Sequence, residues 1–142
     1  MLRYVIQNKQ EVVIMEFIEI KPTKIRSNND YLRKIVRASF TKPKSKDSVF
    51  SLSIYIGKDI ANKLDLKKND KVSISYGAED QRIWLIKKSI GSGYKLLDTK
   101  DSSPALKFQL TWRLFEPKQN EIGAREIKIK ESNSEKIIVD AN

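Results

Sequence analysis

The sequence contains neither cysteine nor histidine among its 142 residues. The lack of cysteine excludes a disulfide framework, a thiolate metal site and a cysteine nucleophile. The lack of histidine removes the commonest general base and the commonest metal ligand. An enzyme would have to work with Asp, Glu, Lys or Ser, and the paired carboxylates here fall in polar turns. We therefore expect a protein that is not an enzyme, with no catalytic residue, no metal site and no cofactor.

Long hydrophobic runs are lacking as well. No apolar stretch approaches the roughly 20 residues that a membrane-spanning helix needs. The opening segment, MLRYVIQNKQEVVIMEF, is interrupted by polar residues at positions 7–11, so it lacks the continuous apolar core of a signal peptide. We expect a cytoplasmic protein without a membrane partner. The sequence leaves open whether the native chain starts at Met1 or at Met15.

What the sequence has in excess is positive charge, with 28 Lys and Arg against 18 Asp and Glu and a formal net charge of +10. The excess is uneven, because residues 1–49 carry 11 basic and 5 acidic side chains. Between Arg26 and Lys46 the single acidic residue is Asp30. A basic cluster of this kind is typical of a protein that binds a polyanion. It is also typical of a solvated face or of a site for an acidic protein, and these alternatives stay open.

The candidate nucleic-acid-binding residues are the basic side chains of this segment and of the short helix predicted after it. They are Arg33, Lys34, Arg37, Lys42, Lys44, Lys46, Lys58 and Lys63. The cluster lacks the regular aromatic interleaving that is typical of single-strand binders. We therefore expect duplex DNA as the partner, bound mainly through its phosphates.

Alternation of apolar and polar residues predicts strands along most of the chain. The clearest are FSLSIYI, KVSISY, RIWLIKK and the run from Leu106 to Leu114. Between the first two, KDIANKL places Ile60 and Leu64 four residues apart, which predicts a short helix. The stretch SNNDYLRKIVRASF fits either a short helix or a strand. The fold class is therefore mainly β with one or two short helices.

The second half of the chain repeats the order of the first. LSIYIG, a helical segment, KVSISY, a turn and RIWLI are matched later by FQLTWRLFE, PKQNEIGA, REIKIK, a turn and KIIVD. The second copy is degenerate, because Pro117 and Gly123 replace the helical residues. Any two β-hairpins share part of this pattern, but the common three-part order favours a repeat. Two such halves in one chain would close a small β-barrel as a pseudo-dimer and remove open sheet edges.

These patterns divide the chain into three segments. Residues 1–47 form an N-terminal strand and basic arm, residues 48–90 a first hairpin half, and residues 91–142 a degenerate second half. A chain that carries both halves of its barrel is expected to be a monomer. A homodimer is the alternative.

The region from about Leu52 to Lys88, about a quarter of the chain, resembles the AbrB/MazE/SpoVT-type swapped-hairpin domain. The resemblance rests on short apolar and turn signals in the order that the family shows. They are Ile56 and Gly57 at the family's Ile-Pro strand end, Asp59, Ile60 and Leu64 in its helix, Leu66 after the turn, Asn69 and Asp70 at its Gly-Asp turn, and Val72, Ile74 and RIWLIKK in its hairpin.

Members of this family are typically transcription factors or antitoxins that bind DNA as homodimers, with two intertwined chains in one β-barrel. The resemblance implies a small non-catalytic DNA-binding protein, a transcriptional regulator or antitoxin-like factor of bacterial or phage type. The family's DNA contacts often come from arginines, whereas the matching positions here hold Ser53, Ala61 and Asn62. This departure supports the alternative of a protein-interaction module on the same barrel that has lost DNA binding and takes an acidic protein partner.

Overall fold

A computed structural model describes residues 2–7, 12–18, 28–42, 44, 49–99 and 104–142. Within these ranges the chain forms eleven strands, two short helices and one 3₁₀ turn, which confirms the mainly β fold class. The strands are β1 (Leu2–Gln7), β2 (Val12–Phe17), β3 (Val36–Thr41), β4 (Phe50–Gly57), β5 (Lys71–Tyr76), β6 (Ile83–Ser89), β7 (Tyr94–Lys95), β8 (Leu97–Asp98), β9 (Ala105–Trp112), β10 (Gly123–Ser132) and β11 (Ile137–Asp140). The helices are α1 (Asn28–Leu32) and α2 (Lys58–Lys63), and the 3₁₀ turn spans Gln119–Glu121.

The stretch that fits both a helix and a strand contains one of each. Residues 28–32 form α1, and β3 begins four residues later at Val36. The following segment, TKPKSKD, lies largely outside the described residues. Strands β1 and β2 form a separate antiparallel pair, in which Leu2 lies opposite Phe17.

The other nine strands form one antiparallel sheet in the order β7-β5-β6-β11-β10-β3-β4-β9-β8. Its two edge strands, β7 and β8, are consecutive in the chain and are separated only by Leu96. The segment that contains them pairs with β5 at its start and with β9 at its end. The sheet is therefore a nearly closed barrel, as the removal of open edges requires.

The strand order is two-fold symmetric in its topology. The first half of the barrel consists of β3 to β6, and the second half consists of β7 to β11, with β7 and β8 counted as one strand. The β5–β6 hairpin lies between β7 and β11, and the β10–β11 hairpin lies between β6 and β3, so each hairpin is inserted into the other half. The central strands β4 and β9 pair with each other from Phe50 opposite Trp112 to Gly57 opposite Ala105. Exchanging the two halves leaves this order unchanged.

The core is filled by the inward residues of the alternating strands and by α2. Ile60 and Leu64 of the α2 region are both 4% exposed, as their four-residue spacing predicts. Away from α2 the core is aromatic, with the Trp112 ring centroid 5.3 Å from that of Trp84 and 5.7 Å from that of Phe40. These rings meet edge to face, the arrangement that aromatic quadrupoles favour.

Candidate nucleic-acid interface

The structure places the basic residues predicted to bind nucleic acid in two regions at opposite ends of β3, except for Arg37, which lies within β3. Arg33, Lys34, Lys58 and Lys63 lie around α2, near the residue where β3 begins. Lys42 and Lys44 follow the other end of β3, and Lys46 lies outside the described residues. Since β3 spans Val36–Thr41 at about 3.3 Å per residue, roughly 17 Å of strand separates the two groups.

Two of the predicted cations near α2 are paired with carboxylates. Arg33 donates a hydrogen bond from Nε to Asp59 Oδ1 at 3.0 Å, and the Lys58 ammonium lies 3.8 Å from Asp98 Oδ1. A cavity of about 530 Å³ is lined by Arg33 and Lys34 and also by the acidic residues Asp30 and Asp59. The region around α2 is therefore mixed in charge.

A different set of cations projects from the outer wall of the barrel. Along each of these strands, the position next to the cation points into the core. The set, named here the outer cationic band, consists of Arg37 in β3, Lys107 in β9, Lys95 in β7, Lys71 in β5 and Lys87 in β6.

Alternation along each strand places these side chains outside. Arg37 stands between Val36 and Ala38, which are 0% and 1% exposed. In the same way, Lys107 separates two buried residues of β9. Because successive side chains of a strand point to opposite faces, the cations between buried residues face outward.

The band crosses consecutive strands of the barrel. The strands that carry it, together with β4, follow one another in the order β3-β4-β9, β7, β5 and β6. Arg37 lies opposite Tyr55, and Tyr55 lies opposite Lys107. Lys71 lies opposite Lys95. With strands about 4.8 Å apart, neighbouring cations are close enough to act on one polyanion.

Tyr55 lies between two of these cations. The Arg37 guanidinium carbon is 4.8 Å from the centre of the tyrosine ring, and the Lys107 ammonium is 5.6 Å from it. The negative face of an aromatic ring attracts cations at these distances. The ring therefore holds Arg37 and Lys107 apart on the outer wall, at the rim of a depression of about 480 Å³.

The outward positions of β3, β4, β5, β6, β7 and β9 hold no acidic residue; apart from the cations they carry mostly Ser, Thr, Gln and Tyr. Two carboxylates lie at the margins: Asp98 of β8 lines the same depression as Arg37 and Lys107, and Glu126 of β10 lies opposite Arg37. Both Glu126 oxygens accept from the Tyr31 hydroxyl at 2.7 Å, and this hydrogen bond raises the pKa of Tyr31. The band thus keeps its positive charge on this part of the wall.

Four members of the band, Lys71, Lys87, Lys95 and Lys107, are not among the residues predicted from the sequence. A signal for them is present, because each follows the period-two alternation of its strand. That signal shows only that a lysine points outward. It does not show that lysines from four distant segments lie on one surface.

Two other basic residues, Arg82 and Arg125, form ion pairs within the protein. Arg82 donates from Nε and Nη2 to the two carboxylate oxygens of Glu121 at 2.9 and 2.8 Å, and Arg125 lies 3.4 Å from the same carboxylate. Glu121 is only 5% exposed. The hydrogen bond from the Arg82 guanidinium lowers the pKa of Glu121, and the same bond raises the pKa of Arg82. Glu121 offsets one of the two positive charges, and both arginine side chains are mostly buried, so the cluster offers little charge to a polyanion.

The positions that match the DNA-contacting arginines of the swapped-hairpin family do not form a contact set here. Ser53 is 7% exposed and Ala61 is 1% exposed, whereas Asn62 is exposed. Within the described ranges there is also no group of three or more acidic residues arranged to hold a metal ion. No helix in that part of the chain has the length and apolar character needed to cross a membrane.

The fold and the outer cationic band define a class: a small basic protein built as a nearly closed antiparallel β-barrel. No protein-family model, curated protein or solved structure matches the chain.

Proposed function

We propose that this protein binds duplex DNA through its phosphates and acts as a non-catalytic regulator, either a transcription factor or an antitoxin-like factor of bacterial or phage type. The observation that carries the proposal is the outer cationic band, where five Lys and Arg side chains project from neighbouring strands and the nearby carboxylates, Asp98 and Glu126, lie at its margins. Lys and Arg contacts to phosphates supply most of the affinity of non-specific DNA binding. The resemblance to the swapped-hairpin family supports the same function.

The curvature of the barrel limits how much of the band one duplex contacts. The band crosses most strands of the barrel, so a straight duplex lies against only part of it. Lys107, Lys95 and Lys71 form its centre, and we propose that they make the main phosphate contacts. Arg37 lies at one margin and Lys87 at the other.

The outer wall offers few side chains that are suited to recognising DNA bases. The outward side chains around the band are mostly short serines and threonines, and α2 is only six residues long. Sequence is read by side chains or helices that enter a groove, whereas phosphate contacts carry no direct sequence information. We therefore propose binding with low sequence specificity.

The test is fluorescence anisotropy of a labelled random DNA duplex, titrated with the full chain between about 50 and 300 mM salt. Three or four phosphate contacts predict a log–log salt slope of roughly −3, from about 0.9 per contact. Replacing Lys71, Lys95 and Lys107 together with alanine should abolish measurable binding. A matched variant that replaces Lys118, Lys128 and Lys130 removes the same charge from outside the band and should retain most of it.

The opposite results would reject the proposal. If the two triple variants lose affinity equally, net charge alone explains the binding, and the band is not a site. If the wild-type chain does not bind DNA even at low salt, the outer cationic band is better interpreted as a site for an acidic protein. In that case the protein is an interaction module on the same barrel.

A further inference from the structure

The barrel is closed along only part of one side. Strand β7 pairs with β5 at Lys71 and Val72, and β8 pairs with β9 at Leu106 and Lys107. Beyond these pairs, no described residue pairs with the facing edges of β5 and β9. We name this gap, between residues 73–76 of β5 and residues 109–112 of β9, the barrel seam.

The barrel seam contains a cavity of about 290 Å³. Its wall is formed on one side by the last residues of β5 and on the other by the end of β9 and the residues after it. Trp84 and Tyr94 also line it, and Tyr94 stacks on Phe108 with their ring centroids 6.0 Å apart. The cavity is therefore a mainly apolar slot between two strand edges.

A residue that lines this slot carries a buried donor without a partner. Trp112 lines the cavity and is 5% exposed, yet its indole Nε1 donates no hydrogen bond within the described structure. The indole of Trp84, by comparison, donates to the carbonyl oxygen of Gln81 at 2.9 Å. Since a buried polar group without a partner costs about 1–3 kcal/mol, a ligand acceptor that reaches Nε1 when the slot is occupied would remove that cost.

The edges of the slot are suited to an extended chain. Strand β5 is antiparallel to β7, and β9 is antiparallel to β8. Because β7 and β8 follow each other in one extended segment, β5 and β9 run parallel to each other. One added strand, antiparallel to both, would continue the pairing that β7 and β8 begin. Main-chain hydrogen bonds from such an added strand are a recurring mode of peptide recognition.

The charge of the slot selects the kind of peptide. Arg113 is exposed, lines the cavity and forms no ion pair with any described residue, and the lining residues include no Asp or Glu. The whole chain carries a net charge of +10. We propose that the barrel seam binds an extended acidic peptide segment of a partner protein, which pairs with β5 and β9 and completes the barrel. This site is separate from the outer cationic band and does not depend on DNA binding.

The experiment uses the full chain and a fluorescein-labelled peptide of alternating valine and glutamate, with both ends capped. We expect saturable binding in an anisotropy titration. A peptide of the same sequence, N-methylated at alternate residues, loses main-chain donors and should bind at least about tenfold more weakly if strand pairing supplies the affinity. A peptide of alternating valine and lysine tests the charge requirement and should not bind.

Two variants test the side chains. Trp112→Phe keeps a large ring but removes the indole donor, and it should weaken binding about fivefold. Arg113→Ala should weaken binding about threefold, with the loss disappearing at high salt because the side chain is exposed. Lys128→Ala removes the same charge from β10 and should leave the affinity unchanged. Circular dichroism spectra of all variants confirm that they fold.

Hydrogen exchange measured by NMR gives the location of the bound peptide. The peptide should slow amide exchange at residues 73–76 and 109–112 and leave β3 and β4 unaffected. Equal affinity for the plain and N-methylated peptides, or protection outside the barrel seam, would overturn the proposal, as would the absence of saturable binding up to about 1 mM. A dimer seen by light scattering that Arg113→Ala dissociates would assign the barrel seam to a second copy of this chain instead.

Discussion

Gly57 shows how one residue joins the first helix to the barrel. A Cβ atom at position 57 would lie 2.3 Å from the carbonyl oxygen of Arg33 and 2.6 Å from that of Leu32. The Gly57 amide also donates to the carbonyl oxygen of Ile35 at 2.9 Å. Its φ of −54° is available to any residue, so the requirement for glycine comes from the close approach of two backbones. A proline, which the swapped-hairpin pattern has here, would also lose that hydrogen bond.

We expect Gly57→Ala to lower the free energy of unfolding by about 2 kcal/mol, because inserting a methyl group into this contact forces the backbones apart. Urea unfolding followed by circular dichroism should show a lower midpoint with an unchanged slope. Asn62→Ala, on the exposed side of α2, is the control and should change the stability by less than about 0.5 kcal/mol. An unchanged midpoint for Gly57→Ala would mean that the turn after α1 is free to move away.

Glu121 is the carboxylate that holds two arginines, and its removal leaves both without their partner. We expect Glu121→Gln to cost about 3 kcal/mol of stability at neutral pH, the order seen when one member of a buried ion pair is removed. The measurement is urea unfolding of the variant and the wild-type chain. The exposed Glu135, replaced in the same way, provides a control with little expected effect.

The lowered pKa of Glu121 predicts that the free energy of unfolding depends on pH. The pKa of Glu121 in the folded chain lies below its ordinary value of 4.5, so the unfolded chain binds more protons than the folded chain in this range. The stability that Glu121 contributes is therefore complete above that value and is lost as the pH falls through it towards the folded pKa. The difference between wild type and Glu121→Gln should shrink accordingly on acidification. A difference that stays constant down to about pH 3 would contradict this assignment.

At the scale of elements, the segment from Tyr94 to Asp98 decides whether the barrel closes. Its central residue, Leu96, is 0% exposed, donates its amide to the carbonyl oxygen of Asp70 and accepts from the Asn69 amide, both at 2.8 Å. The segment makes two strand pairings, one on either side of Leu96: β7 pairs with β5, and β8 pairs with β9. The partial closure that results leaves the barrel seam open.

We expect Leu96→Ala to destabilise the protein by about 3 kcal/mol, because it leaves a cavity where the two edges of the sheet meet. The neighbouring Leu97 is 49% exposed and provides a matched control, for which Leu97→Ala should cost less than about 1 kcal/mol. Thermal unfolding of both variants makes the comparison. Equal losses would show that Leu96 does not connect the two edges.

For the whole molecule, the topology predicts the oligomeric state. Both hairpins and both central strands of the barrel belong to one chain, so no second copy of the chain is needed to supply them. Light scattering should give a mass near the 16.4 kDa of a single chain. An obligate dimer that resists dilution would contradict the single-chain barrel and favour exchange of hairpins between chains.

The local sequence pattern was sufficient to predict the elements named below and the direction of most of their side chains. Period-two alternation predicts β4, β5, β6 and β9, and a four-residue spacing predicts α2. The same alternation turns Lys107 outward between two core residues. These features depend on neighbours along the chain, which is why the sequence alone predicts them.

The tertiary structure alone decided which strands are neighbours. Lys71, Lys95 and Lys107 are far apart in the sequence, yet the insertion of one hairpin into the other half of the barrel places their strands side by side. The charged run from Arg26 to Lys46 is continuous in sequence, but β3 divides its described cations between distant regions. Sheet pairing depends on which distant strands meet, and the pattern within one strand does not specify its partner. The sequence by itself thus determined a basic, mainly β protein, whereas the outer cationic band and the barrel seam exist only in the folded chain.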